Sequence, residues 1–324
     1  MKRFIKKILF ILPRFLRNWL YIVSNWILHR NMLQKKAKGG TIDDGKTYYV
    51  IRPRTDGIEG IMALLLFILK QTWYADKKGY IPVVDMKNYK TQYYQNDNEN
   101  AFLYFFKPLN GITVEEAYQH KNVILSSVNV FYTSPKKTDL SFKKEDLLFM
   151  KALFDKYYVF SEDVNALFNE EMQRLSFKDK YLGIYARGTD YVVLKPAGHP
   201  RQPTVEQLME KADELFANDS YQSAFFVSED KKMFEAFKEH YQDKLKIASF
   251  DAFIDNYQKD GFISKKYIDQ LGKDKKTIGL NYIVKLLILG SADYVICGKT
   301  CGSWAALLFA KNIDNTYVFN LGNY

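Results

Sequence analysis

Tyr181-Leu-Gly-Ile-Tyr-Ala-Arg187-Gly-Thr-Asp190-Tyr191 decides the fold. Residues 181–186 are apolar, aromatic or small without a break, and charge stands on both sides at Lys180 and Arg187. A run this short and this apolar reads as a strand buried on both faces, as in a parallel sheet. Residues 187–203 read as a loop, punctuated by Pro196, Pro200 and Pro203. A helix at 204–217 follows, then a strand at 224–227, a helix at 231–240 and a short strand at 246–249. Farther along, helices at 279–290 and 303–310 alternate with strands at 294–297 and 316–320. This alternation predicts a parallel α/β sheet.

Upstream the same grammar begins again. Residues 48–51 read as a strand and 52–60 as a loop holding Asp56, Gly57, Glu59 and Gly60. A long apolar helix at 61–78 ends at Gly79, and 81–84 is the next strand. Residues 36–47 read as a linker. The Asn- and Tyr-rich stretch 87–140 has no clear period, and helices are expected at 143–155 and 161–176. The expectation is a two-domain α/β enzyme, with domains at 39–176 and 177–324 facing a cleft, behind a segment at 1–38.

The charge is distributed unevenly. The chain of 324 residues carries a net charge of +10. Residues 1–38 hold Lys2, Arg3, Lys6, Lys7, Arg14, Arg17, Arg30, Lys35, Lys36 and Lys38, and the first acid is Asp43. Those ten basic residues account for the whole excess, so the body is balanced. A nucleic-acid-binding body would carry its basic residues on the fold, and none is expected here. The segment is rich in Phe, Leu, Ile and Trp, but Pro13, Arg14 and Arg17 interrupt it. Its longest uncharged run, 18–28, is shorter than the ~20 apolar residues that span a bilayer. Trp19, Tyr21 and Trp26 among the basic residues suit a helix lying in the headgroup layer of an anionic membrane surface. The expected location is therefore peripheral, on the cytoplasmic face of the cell membrane. A helix packed on the body or on a partner chain is the other reading.

Three segments carry candidate chemistry, each where a strand ends, which is where parallel α/β sheets bind ligands. Arg187 follows the first strand, and its guanidinium can grip phosphate oxygens in a two-pronged way. Gly188 would admit a phosphate to the backbone, Thr189 lies beside it, and Asp190 would orient the arginine. A buried Arg–Asp pair that ties a loop is the alternative. Ser228, Glu229 and Asp230 follow the second strand, either lining a sugar or base pocket or capping a helix. Thr300, Cys301, Gly302 and Ser303 open a helix after the third, where amides and the helix dipole favour an anion, or where a cap alone is needed. Cys297 and Cys301 read as small buried residues, and no metal ligand set accompanies them. There is no Asp-x-Asp, GxGxxG or GxxxxGK[ST] motif. One arginine and one helix start facing one diphosphate would stabilise a departing nucleotide without a metal.

Together the three segments resemble the donor-site motifs of the α-1,2-, α-1,6- and protein O-fucosyltransferase superfamily, in a bacterial polysaccharide-biosynthesis type of member. Tyr185-Ala-Arg187-Gly-Thr-Asp190 resembles the family's His-x-Arg-Arg-(Gly/Thr)-Asp. Phe226-Val-Ser228-Glu229-Asp230 resembles its strand ending in two acids. Thr300-Cys-Gly-Ser303-Trp304 resembles its last motif. The resemblance spans about residues 180–312 and implies a GT-B fold, inverting metal-independent transfer, no cofactor and a nucleotide-sugar donor such as GDP-fucose. It implies that Arg187 holds the β-phosphate and that Thr300 and Cys301 stand at phosphate-binding positions. Three positions depart: Tyr185 replaces the histidine, Gly188 the second arginine, and Lys285 an acid that reads guanine. Lysine cannot accept hydrogen bonds from guanine.

On the acceptor side, Glu59 and Asp56 are the candidate bases, since a carboxylate must take the proton of the attacking hydroxyl. Lys195, His199 and Arg201 lie on the proline-rich loop beside Arg187 and are candidates for touching donor or acceptor. The expected function is transfer of a sugar to a cell-surface glycan or lipid-linked acceptor. A catalytically inactive glycan- or nucleotide-binding protein on the same fold, or a membrane scaffold, are the alternatives.

Overall fold

The computed structural model describes residues 34–53, 59–128, 140–218, 221–255, 257 and 274–324. The proposed membrane-surface helix, apart from its last residues, and Asp56 lie outside the described residues.

Two sheets form the frame. The first runs in the order β1 (Lys35–Lys36), β4 (Val123–Leu125), β2 (Tyr48–Ile51), β3 (Ile81–Val84). β2 pairs in parallel with both neighbours, and β1 runs antiparallel to β4. The segment at 36–47 is therefore not a free linker. Lys35 and Lys36 extend the sheet, and Ile42 bridges to His120. The basic side chains on this edge strand limit further strand addition.

The second sheet is wholly parallel, in the order β7 (Leu245–Lys246), β6 (Ser223–Val227), β5 (Tyr181–Tyr185), β8 (Tyr294–Cys297), β9 (Thr316–Val318). Every residue of β5 and β6 is buried, as their unbroken apolar runs require. Strand order reverses between β5 and β8. Doubly wound sheets open a crevice at that point, beyond the strand carboxyl ends.

Helices join the halves. α1 (Ile61–Lys77) and α8 (Lys275–Gly290) are apolar on nearly all sides and sit inside the molecule. α3 (Lys144–Tyr157) and α4 (Glu162–Leu175) come from the first half of the chain, yet α3 packs on α9 (Cys301–Phe309) and α4 on α8. One apolar cluster consequently runs from Tyr49 and Leu65 through Phe154 to Leu286 and Trp304. The other α-helices among the described residues are α2 (Val114–Gln119), α5 (Thr189–Leu194), α6 (Val205–Asn218) and α7 (Lys231–Tyr241).

Three local expectations need correcting. α5 interrupts the stretch expected to be loop at 187–203. α8 begins at Lys275 rather than Gly279, because Asp274 caps it by accepting the Thr277 amide at 2.7 Å. α9 begins at Cys301 rather than Ser303. Thr300 and Ser303 form a capping box, each side chain taking the other's amide at 3.0 Å.

Candidate active site

A cleft of about 400 Å³ opens at the β5–β8 switch point and is closed on its far side by the head of α1. Arg187, Asp190, Ser228, Glu229, Thr300, Cys301 and Gly302 line it from the second sheet, with Lys285 from α8. Glu59, Gly60 and Ile61 line it from the first half, and His199 reaches it from the proline-rich loop. Residues far apart in sequence thus share one space.

Arg187 lies two residues beyond β5. Its Nη2 donates to both carboxylate oxygens of Asp190, at 2.8 and 3.0 Å, and its Nη1 stands 3.4 Å from Glu229. The Arg187 side chain is 16% exposed, that of Asp190 1% and that of Glu229 11%. The buried Arg–Asp pair and the cleft-lining arginine are therefore both present. The Tyr191 ring lies 5.5 Å from the guanidinium carbon. Nε of Arg187 is buried and has no hydrogen-bond partner among the described residues. An unsatisfied buried N–H is costly, and an anion in the cleft is a partner that would satisfy it.

The electrostatics are tight. Burial works against the charge of Arg187, but Glu229 and Asp190 outweigh it and raise its pKa well above the ordinary arginine value. Burial also raises the pKa of Glu229, against the lowering effect of Arg187 and of the Thr189 hydroxyl that donates to it at 2.6 Å. Two carboxylates share one guanidinium here, and the more cleft-facing one resists ionisation.

The head of α9 lines the same cleft beside Arg187. The capping box uses the amides of Thr300 and Ser303, while those of Cys301 and Gly302 make no hydrogen bond among the described residues. Ser303 is fully buried and donates to the Gly298 carbonyl at 2.6 Å, so it shapes the turn and does not line the cleft. The Cys301 thiol is raised by burial, and that of Cys297 is pushed up to about 12 by burial. Neither is a thiolate at neutral pH. Among the described residues no group of three or more His, Cys, Asp or Glu could hold a metal.

Several candidates take other places. Gly188 does not line the cleft. A Cβ there would stand 2.4 Å from Oδ2 and 2.7 Å from Cγ of Asp230, so packing against that side chain already favours glycine. Asp230 caps α7 through the Met233 amide at 3.1 Å and also accepts the Thr189 amide at 3.3 Å. Thr189 is turned to Glu229. Lys195 ends α5 in the left-handed region, exposed, and Arg201 is exposed with its guanidinium 5.8 Å from the Tyr324 ring. Their loop is stitched to the C-terminal residues, the Arg201 amide bonding Gly322 and the Tyr324 amide bonding His199. Lys285 lines the cleft, but its Nζ donates to Asp251 at 2.7 Å, with both side chains at least nine-tenths buried.

The sequence reading missed Tyr93, Tyr191, Ile278 and Tyr282 as cleft residues. For Ile278 and Tyr282 a signal existed: with Lys285 they fall at helical spacing on one face of α8. Tyr93, whose hydroxyl accepts the Ile61 amide at 2.9 Å, gave none.

No family model matches the chain, and no curated protein does. Solved structures do. The NodZ α-1,6-fucosyltransferase soaked with GDP-fucose is similar at 12% identity and a TM-score of 0.50, over 82% of this chain and 93% of that one. The fucosyltransferase NodZ from Bradyrhizobium is similar at 13% identity and a TM-score of 0.50, over 86% and 96%. FUT1 of Arabidopsis thaliana, as a mutant in complex with GDP, is similar at 11% identity and a TM-score of 0.47, over 93% and 78%. The chain shares the GT-B fold of the two NodZ structures.

Proposed function

We propose that this protein is an inverting glycosyltransferase that needs no metal and takes a nucleotide-diphosphate sugar as donor. One observation carries the reading. A single cleft brings together a buried arginine with an unsatisfied Nε, the first amides of α9, which make no hydrogen bond among the described residues, and, from the first half of the chain, the carboxylate residue Glu59. The first two suit a diphosphate, and the third suits a base. The acceptor hydroxyl attacks the anomeric carbon from the Glu59 side, and Glu59 takes its proton. As the new C–O bond forms, the bond to the β-phosphate oxygen breaks. The charge that gathers on the leaving diphosphate meets the Arg187 guanidinium and the α9 dipole.

GDP-fucose is the donor that the resemblance and the NodZ structure soaked with it suggest, and Lys285 is the residue that sets this choice at risk. α8 itself holds no acid, and Asp251, the partner of Lys285, is 1% exposed and does not line the cleft. The acceptor in this reading is a cell-surface glycan or a lipid-linked precursor, reached from the cytoplasmic face of the membrane with the help of the basic segment at 1–38. No described helix is long and apolar enough to cross a membrane. Flotation with anionic vesicles tests the segment: the full chain should float and a chain lacking residues 1–38 should not.

A second reading, a nucleotide- or glycan-binding protein without activity, draws on Arg187 being already engaged by Asp190 and Glu229. NMR of donor consumption separates the two. Transfer or slow hydrolysis with inverted anomeric configuration, unaffected by EDTA, supports the enzyme. Binding without turnover of GDP-, UDP-, dTDP- or CMP-sugars supports the binding protein.

A further inference from the structure

The hydroxyls of Tyr185 and Tyr282 lie 3.0 Å apart, although 97 residues separate them in sequence. Tyr185 ends β5 and is buried, while Tyr282 is half-buried on α8. Both line the cleft. Their position is fixed by Gly302, where a Cβ would stand 2.3 Å from the Tyr282 hydroxyl and 2.5 Å from that of Tyr185. Both hydroxyls thus rest on the first turn of α9, beside the amides of Cys301 and Gly302, which make no hydrogen bond among the described residues. Tyr185 is two residues from Arg187 along the chain, and the guanidinium acts electrostatically on both phenols.

Burial keeps both phenols protonated, so at neutral pH they are donors. In a hydrogen-bonded hydroxyl pair only one hydrogen lies between the two oxygens. A phenol hydrogen turns about its C–O bond at little cost, so the other can be presented to an acceptor in the cleft. We infer that Tyr282 is a donor-binding residue whose hydroxyl donates to the diphosphate beside Arg187, with Tyr185 as the positioning residue that aims it. This rests on the nucleotide-sugar reading and deepens it. Where the resemblance implies two arginines, this site holds its anion with one guanidinium, the α9 amides and a neutral hydroxyl. Gly302 is the spacer that admits the hydroxyl.

The test compares binding of GDP and guanosine to wild type, Tyr282→Phe and Gly302→Ala, by calorimetry for GDP and ligand-observed NMR for guanosine. UDP, dTDP and CDP with their nucleosides are used in turn if GDP is silent. A hydrogen bond to a charged oxygen corresponds to a tenfold to roughly hundredfold change in affinity. Tyr282→Phe should weaken the diphosphate by about that factor and leave the nucleoside unchanged, and Gly302→Ala should do the same by displacing the hydroxyl. Unchanged diphosphate affinity in Tyr282→Phe overturns the inference while leaving the donor reading intact. Equal losses for diphosphate and nucleoside overturn it too, because they mean the ring only packs. If wild type binds none of the four diphosphates, the donor reading falls and the inference with it.

Discussion

Removing the Arg187 guanidinium should destabilise the protein before any ligand is considered. Arg187→Ala removes the guanidinium that Asp190 and Glu229 share, in surroundings where their side chains are 1% and 11% exposed. Breaking a buried ion pair from one side costs about 3–5 kcal/mol, because the remaining charge is left uncompensated. With an unfolding entropy of roughly 2 cal/mol/K per residue, that loss lowers Tm by roughly 4–8 °C for a chain of this length. The loss should shrink as pH falls, since the two carboxylates take up protons and cease to repel. Differential scanning fluorimetry at pH 5 and pH 7.5 reads both features. Arg187→Ala combined with Glu229→Gln should recover part of the loss, because one of the two charges is then gone. A Tm within a degree of wild type at pH 7.5, or a loss independent of pH, would refute the electrostatic account. The prediction also governs how ligand experiments are read: loss of donor binding in Arg187→Ala counts only where the variant is folded.

Glu229→Gln alone tests the raised carboxyl. Above the ordinary glutamate value of 4.5 the unfolded chain releases this proton while the folded state keeps it, so stability falls as pH rises through the window up to the raised folded value. The variant lacks that penalty: it should be more stable than wild type at neutral pH, with a flatter dependence above pH 4.5, and equal pH slopes in chemical denaturation would contradict this. Gly188→Ala should cost about 1–3 kcal/mol through its clash with the Asp230 carboxyl and should lower kcat/KM by displacing Arg187, whereas unchanged urea midpoints would show that the turn yields freely. Glu59→Gln should lower kcat by about 10²–10⁴ with donor affinity preserved, as expected for loss of a general base, and near-normal kcat would remove Glu59 from that role.

The second sheet was legible because β5, β6 and β8 are unbroken apolar runs, and a strand buried on both faces can be written in no other way. Arg187 was legible for the same reason, as the first charge past a buried strand. Residues 87–140 resisted because two 3₁₀ turns, Ala101–Tyr104 and Leu109–Gly111, have no long apolar period. A capping box at Thr113 and Glu116 did announce α2, at a point where no helix was expected. Prolines 196, 200 and 203 argued for loop so strongly that α5, one turn before them, was passed over. Gly188 carries a packing constraint that the sequence does not announce. Its constraint comes from Asp230, 42 residues on, and a contact between two strand ends leaves no local mark. The Tyr185–Tyr282 and Lys285–Asp251 pairs are of the same kind. Each depends on how α8 docks beneath the sheet, and packing of that sort is decided by the whole core.

The central claim is that the cleft at Arg187 holds a nucleotide diphosphate. The most direct measurement is a thermal-shift titration of wild type with GDP, UDP, dTDP and CDP and their sugar conjugates, beside the matching nucleosides. A diphosphate at 100 times its Kd should add about 2.7 kcal/mol of stability, or roughly 4 °C for this chain, and the nucleoside far less. A shift that needs the diphosphate is the predicted result. Stability unmoved by every one of these compounds at millimolar concentration would contradict it.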